Sequence, residues 1–415
     1  MYTIIPIFSD PNLHPLHKNN GLSALWCQPE SAEDPFFVIQ KHPDSDDILQ
    51  DYKWLDEELI QTPDKKLLNH FYEFKDVVDK NFIWWSETGK PFDNNIRNNA
   101  IDFLSNKYYN VKKLNEIIPL CKHNEYCSEV YREMSRAYTG ELDHYMNDVI
   151  KAFGSIEKNG IKVSDDVCDI FDIRVKKHIS EGKLYSNYNL WTTTGRPSNS
   201  FGTVNFAALP PEKRKAIVSE NDYLVEFDFD AYHLRLIADL VGYHTFDKTS
   251  VHQHLADWYE CSYDESKAKT FRLLYGGIDK ETREKVPFFD LTHKYINLKW
   301  NEINKNKYVL TDIYSRKLLS DNYEDLNRNK VFNYLIQAYE TESNIKKILS
   351  IQDYLLDKKT KLVLYGYDSF LFDFSKQDGV ETLIEIKDIL EEGKHYTKSK
   401  MGLNYGEMED ITARL

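Results

Sequence analysis

The chain reads as an α+β protein, and three observations predict that class. Leu224-Val225-Glu226-Phe227-Asp228-Phe229 is an apolar, strand-like run that leads straight into the helical spacing of Leu234-Arg235-Leu236-Ile237-Ala238. Val363-Leu364-Tyr365 and Phe370-Leu371-Phe372 are two short apolar runs joined through Gly366-Tyr367-Asp368-Ser369, the pattern of a tight turn. From Asn221 to the C-terminus, strand and helix signals alternate. At 415 residues there is chain enough for two or three domains and a substantial core.

Residues 1–70 mix short apolar runs (Thr3 to Ile7, Phe36 to Gln40) with Pro- and Asp-rich turns, which predicts a small α/β or irregular module. Helical spacing follows over Leu67 to Lys80, Asn94 to Tyr109 and Ser128 to Lys158, with Gly154 and Gly160 flanking the end of the last. Residues 164–183 predict one more helix. Gly182-Lys183-Leu184-Tyr185 then opens a Thr-, Ser-, Asn-, Gly- and Pro-rich stretch that runs to Pro211 and reads as loop and short strand. Lys267-Ala268-Lys269-Thr270-Phe271-Arg272-Leu273-Leu274-Tyr275-Gly276 is a basic and aromatic helix. There is no internal repeat, and the texture places a boundary near residue 130.

Composition narrows the class further. Five cysteines are too few and too scattered for a disulfide framework. Cys121-x-His123-x-x-x-Cys127 offers three zinc-type ligands without a matching second half, so free thiols, Cys168 among them, are the plain expectation. With no 18-residue apolar run and no basic start to Met1-Tyr2-Thr3-Ile4-Ile5, neither a membrane partner nor a signal peptide is expected, and a cytoplasmic location is. A net charge of −14 opposes phosphate binding, which needs Lys and Arg. Its distribution resolves part of the conflict. Residues 1–130 hold 13 Lys and Arg against 21 Asp and Glu, a net of −8, whereas residues 265–317 hold 12 against 7, a net of +5. An aromatic content of 14% suits base stacking as well as core packing.

Carboxylates held on rigid strands can share a pair of Mg²⁺ ions for an in-line phosphoryl displacement, and Asp228 and Asp368 have that setting. The helix around Lys267 suits a nucleoside triphosphate. Five motifs then resemble, in order, the polymerase domain of family A DNA polymerases, over residues 182–415. Thr192-Thr193-Thr194-Gly195-Arg196-Pro197-Ser198 is similar to T-x-T-G-R-x-S, and Val204-Asn205-Phe206 with Leu209-Pro210 echoes the segment that follows it. Phe227-Asp228-Phe229 with Leu234-Arg235 is similar to D-Y-S-x-x-E-L-R. Lys267, Phe271, Tyr275 and Gly276 keep K-x-x-x-F-x-x-x-Y-G, Asn333 and Gln337 keep N-x-x-x-Q, and Tyr367-Asp368-Ser369 stands where the family has H-D-E.

The resemblance implies a right hand with an antiparallel-sheet palm (183–240 and 321–415), helical fingers (241–320), a reduced thumb-like region (131–182) and an N-terminal module (1–130), either an eroded exonuclease-like or a docking domain. It implies a DNA-directed DNA polymerase that takes a primer-template and dNTPs. Asp228, Asp368 and the Phe229 carbonyl would hold two Mg²⁺, with Mn²⁺ as a substitute. Lys267 would meet the triphosphate and protonate the leaving group, Phe271 would pack on the incoming sugar and base, and Tyr275 would stack near the templating position. Arg196, Thr194, Asn205, Asn333, Gln337 and Tyr367 would face the DNA. Arg235 would support the palm.

Departures from the pattern carry their own expectations. His233 replaces the glutamate beside the sugar 2′ position and is bulky enough to act as a steric gate. Tyr263 replaces an arginine at the start of the fingers helix, a loss that Arg272 or Lys269 could partly restore. Ser369 replaces an acid. Glu157-x-x-Gly160-Ile161-x-Val163 resembles the segment before the thumb, yet only about thirty residues separate Val163 from Thr192, so low processivity is expected without a partner such as a processivity factor. The D-x-E spacing in the N-terminal region, Asp56-Glu57-Glu58, has none of the exonuclease pattern's later acidic partners at suitable positions, so proofreading is not expected. Plentiful Asn, Lys and Ile with sparse Ala and Gly hint at an AT-rich genome, and a compact chain of this kind suits a phage or another mobile element. Two alternatives remain open: RNA synthesis or reverse transcription on the same fold, and a catalytically weak accessory that only binds primer-template junctions.

Overall fold

Five of the seven residues of β1 (Tyr2–Phe8) are buried, because this strand is covered on both faces. The computed structural model describes residues 1–10, 13–31, 33–42, 50–92, 120–136, 144–165, 171, 173–199, 204–248 and 250–415. These form two compact units: Met1–Trp191 with Asn199–Asn205, and Thr192–Ser198 with Phe206–Leu415.

In the first unit β1 is the middle of a five-stranded sheet with β2 (Leu22–Pro29), β3 (Phe36–Ile39), β4 (Ile60–Thr62) and β5 (Val77–Asp79), in the order β3-β2-β1-β4-β5. The β3, β2 and β1 neighbours are antiparallel, and β1, β4 and β5 run parallel. Alternation along the strands sorts side chains between two cores. Ile5, Ile7, Ala24 and Trp26 pack with Ile83, Cys127, Val130 and Met134 on one face. Ile4, Leu25, Cys27 and Val38 pack with Leu55, Ile60, Leu68 and Val77 on the other.

Around this sheet lie α1 (Lys65–Asn69), α2 (Lys80–Thr88), α3 (Leu120–Met134) and α4 (His144–Asn159). The helix expected over Leu67 to Lys80 is therefore broken. β-Branched Val77 and Val78 pair with Ile60 and Gln61 instead, and Asp79 caps a new helix by accepting from the Phe82 N–H. The helix expected over Ser128 to Lys158 is two helices, and that expected over 164–183 is only Ile173–Lys176 among the described residues. Cys168 and the Asn94 to Tyr109 helix lie outside the described residues. The zinc-type trio does not assemble. Cys121 is exposed on α3 while His123 and Cys127 are buried, as a 100° turn per residue requires for positions two apart.

The second unit is built on a five-stranded antiparallel sheet. Its strands are β6 (Tyr223–Phe229), β7 (Lys361–Tyr365), β8 (Ser369–Phe374), β9 (Thr397–Asn404) and β10 (Glu407–Asp410), in the order β7-β8-β6-β9-β10. Helices α5 (Tyr232–Val241), α6 (Val251–Tyr259), α7 (Tyr263–Gly276), α8 (Pro287–Asn306) and α9 (Arg328–Tyr354) share one apolar core that includes Leu234, Leu255, Leu274, Phe288 and Phe332. α7 opens with a reciprocal Ser262–Glu265 capping box, and α9, at 27 residues, is about 40 Å long. Among the described residues no helix is long and apolar enough to cross a membrane.

Candidate active site

The expected strand and hairpin meet at the two aspartates. β6 pairs with β8 so that Asp228 stands opposite Ser369. Beyond that pair the Phe229 N–H donates to the Asp368 carbonyl at 2.9 Å, which ties the tip of the hairpin to the end of the central strand. The turn itself is tight: the Gly366 N–H donates to the Ser369 carbonyl at 2.8 Å, and Tyr367 takes a left-handed φ of 72°. Ala231, three residues beyond Asp228, is likewise left-handed at 53°. Such non-glycine conformations cost about 1–3 kcal/mol each and persist where the surroundings enforce them.

The surroundings that enforce the turn come from α9. Asn344 donates through Nδ2 to the Tyr367 carbonyl at 2.8 Å and to the Tyr365 hydroxyl at 3.1 Å, and its Oδ1 accepts from the Tyr232 hydroxyl at 2.7 Å. Tyr232 in turn stacks on Phe229 at 3.9 Å.

Both aspartates carry an electrostatic load. Burial, then the Asp368 carboxylate, then Glu226 push Asp228 up to about 6, with Lys400 and Lys398 pulling the other way. Asp368 is also raised, by burial first and by the charge of Glu340 second, although solvent reaches it at the tip of the turn. Two desolvated carboxylates that raise their own proton affinity form a donor set whose repulsion a divalent cation relieves. The residues fit such ions. Neighbouring acids are already engaged: Asp230 by Lys398 at 2.8 Å, and Glu226 by the Tyr405 hydroxyl at 2.8 Å. Arg235 is buried and donates to the carbonyls of Asp230 and Phe246, as a supporting residue should.

On α7, Lys267, Phe271 and Tyr275 lie one turn apart along one face, all exposed, with Phe271 at 36% and Tyr275 at 41%. The two rings are parallel within 5° at 6.1 Å, so this stripe is not core. His252 is lowered by burial and then by the Lys267 charge, while Asp230 opposes, so it senses both the basic stripe and the end of β6. Lys269 lies 4.3 Å over the Tyr259 ring, and Arg272 is about 100° round the helix from Phe271; neither joins the stripe.

The Thr192–Ser198 loop turns at Gly195, whose φ of 79° suits glycine. Thr194 is buried, and its carbonyl accepts from Arg316 at 3.0 Å, so it pins the loop and does not face outward as expected of a DNA contact. Arg196 has its guanidinium 3.8 Å over the Tyr367 ring, and its Nε is 2.9 Å from Glu340 Oε2. Asn205 is exposed and belongs to the first unit. His233 Nδ1 is 3.0 Å from the Tyr275 hydroxyl, and its Nε2 is 3.2 Å from Glu340 Oε1. Asn333 and Gln337 are partly buried on α9, and Asn333 Oδ1 is a buried acceptor with no partner among the described residues.

Sequence reasoning missed Glu340 and Asn344. A signal was present, since Asn333, Gln337, Glu340 and Asn344 fall at i, i+4, i+7 and i+11, one face of one helix. Another cluster of ligand-type atoms, His14, His70 and Glu157, lies in the first unit within 4.8 Å. It does not fit a cation. Glu157 is spanned by Lys66 at 2.5 Å and His70 at 2.7 Å, and Lys66 also donates to the Tyr188 carbonyl at 2.8 Å, so an ammonium already fills the charge.

No family model and no curated protein sequence matches this chain. Among solved structures, the polymerase domain of Pol1 from M. smegmatis, in complex with DNA primer-template and dNTP, matches with a TM-score of 0.67 at 12% identity. The match covers 98% of this chain and 95% of that one. At this identity the likeness is one of fold: the chain has the fold of a DNA polymerase domain.

Proposed function

We propose that this chain is a template-directed DNA polymerase of the family A type, adding dNTPs to a primer 3′-hydroxyl by two-metal-ion nucleotidyl transfer. The observation that carries the reading is the junction where the Phe229 N–H to Asp368 carbonyl bond joins two raised carboxylates. The exposed Lys267–Phe271–Tyr275 stripe supports it, as does the binding of primer-template and dNTP by the M. smegmatis domain.

Asp228, Asp368 and the Phe229 carbonyl would hold two Mg²⁺ or Mn²⁺. Bound there, such ions supply activation of the primer hydroxyl and neutralise the departing pyrophosphate. Lys267 meets the triphosphate and gives the leaving group a proton. Phe271 offers its ring to the sugar and base, and Tyr275 stacks near the templating position. Arg196, Asn333 and Gln337 reach the minor-groove edge, where acceptors occur in every base pair, so they test pair shape and not sequence. His233 excludes the 2′-hydroxyl by bulk.

In this reading 183–240 and 321–415 form the palm, 241–320 the fingers, and 131–182 a reduced thumb. β1, the central strand of the N-terminal sheet, carries no Asp or Glu, which supports a polymerase without proofreading. Extension of a labelled primer-template by purified protein with Mg²⁺ tests the proposal. Extension with dNTPs that is lost in Asp228→Ala and in Asp368→Ala is the expected result. A wild-type protein that binds the junction yet extends nothing sinks it.

A further inference from the structure

We infer that Glu340 is a positioning residue that holds the nucleotide-facing His233 and the primer-facing Arg196, and so sets discrimination at the sugar of the incoming nucleotide; this rests on the polymerase reading above. Its side chain is 1% exposed, and its two oxygens divide between two partners, Oε1 toward His233 Nε2 at 3.2 Å and Oε2 toward Arg196 Nε at 2.9 Å. A buried carboxylate must be compensated, so these contacts are not incidental.

Each contact propagates outward. The Glu340 carboxylate draws the Nε2 edge of the ring by charge, without an aligned hydrogen bond, while His233 Nδ1 is hydrogen-bonded with the Tyr275 hydroxyl at 3.0 Å. The imidazole is thereby clamped between α9 and α7, and it cannot swing aside for a larger sugar without losing a contact at each nitrogen. On the other side the Arg196 edge is drawn to Glu340 by charge, and its face lies on the Tyr367 ring at 3.8 Å. Tyr367 immediately precedes Asp368. One carboxylate therefore keeps the sugar-side and primer-side groups in register.

A purely structural ion pair looks different, and α9 supplies one for comparison. Arg316 and Glu342, 2.7 Å apart, are 7% and 0% exposed, and both are enclosed. The partners of Glu340 are 28% and 20% exposed, so the charge is buried while the groups it orients face outward.

Single-nucleotide incorporation kinetics with dNTP and with rNTP test the inference in wild type, Glu340→Gln, Tyr275→Phe, His233→Ala and the Glu340→Gln/His233→Ala double variant. In Glu340→Gln the ratio of kcat/KM for dNTP over rNTP is expected to fall about tenfold, mainly through a raised kcat/KM for rNTP. The double variant should discriminate no worse than His233→Ala alone, because the two act in series. Should Glu340→Gln fail to fold, judged by circular dichroism, exposed Tyr275→Phe removes the far end of the same chain of contacts and should lower the ratio likewise. An unchanged ratio with kcat reduced equally for both sugars means that Glu340 only stabilises the fold, and overturns the inference. So do additive losses in the double variant, an unaltered ratio in Tyr275→Phe, or a wild type that uses both sugars equally. A wild type that binds duplex but incorporates neither nucleotide overturns the polymerase reading, and the inference with it.

Discussion

Asp228 is held at a cost that the proposed function explains. It titrates near 3.8 when free and near 6 in the fold, so between those values the folded chain binds a proton the unfolded chain has released. The stability this group lends is full below its free value and is lost as pH rises through about 6. At neutral pH a shift of about two units amounts to ~3 kcal/mol, and partial solvent access reduces it to about 1–2 kcal/mol. Asp228→Asn should therefore be more stable than wild type by that amount in urea at neutral pH without divalent ions. The difference should vanish near about pH 4, where the wild-type carboxyl also keeps its proton. Mg²⁺ should raise the wild-type midpoint and leave that of the variant unmoved. A variant less stable than wild type at neutral pH would mean that Lys398 and Lys400 already compensate the charge.

At the scale of elements, a buried polar group on a helix holds the candidate site in one unit and another ties together the first unit. Asn344→Ala on α9 removes the donor to the Tyr367 carbonyl, and with it the restraint on a left-handed residue next to Asp368. The expected loss is about 2 kcal/mol by thermal melting, with primer extension falling further than the lost folded fraction explains. In the first unit burial pushes Glu157 up, but Lys66 and His70 outweigh it and hold the carboxyl down at about 2. Lys66→Met leaves that buried carboxylate to His70 and the Tyr188 N–H and should cost about 3–5 kcal/mol by urea titration; a smaller loss would mean that those two groups hold the charge without the ammonium. Strands such as Leu224 to Phe229 were legible because their apolar run is buried on both faces, and the Lys267 stripe because four-residue spacing survives in any helix. Leu67 to Lys80 was misread because its leucines, phenylalanines and valines keep helical spacing, while what decides Val77 and Val78 is pairing with β4. Glu340 went unread since its meaning lies in Arg196 and His233, both distant in sequence. The polar stripe that extends Asn333 and Gln337 to Asn344 was visible, but nothing local distinguishes such a stripe from a solvated face.

For the whole molecule, charge sets how it can hold a polyanion. The net of −14 is concentrated toward the N-terminus, and residues 265–317 carry a net of +5 around the proposed nucleotide-binding stripe. Some of that basic charge is already spent inside the protein. Arg316 pairs with Glu342, and Lys299 lies near Glu302 and Asp312. The net negative charge of the whole chain therefore opposes the cations that remain, and the short segment of the proposed thumb-like region adds few more. The logarithm of the association constant for a primer-template should fall with the logarithm of salt at a slope no steeper than about −5, because each neutralised phosphate contributes about −0.9. Fluorescence anisotropy over a salt series reads that slope. With trap DNA present to enforce single encounters, the same weak electrostatic grip should limit each encounter to a few added nucleotides. A steep slope together with long single-encounter products would mean that the acidic N-terminal unit hides a phosphate-binding surface which the charge totals do not reveal. A shallow slope with long products would instead indicate that the duplex is retained by shape, through contacts to sugars and base edges that salt does not screen.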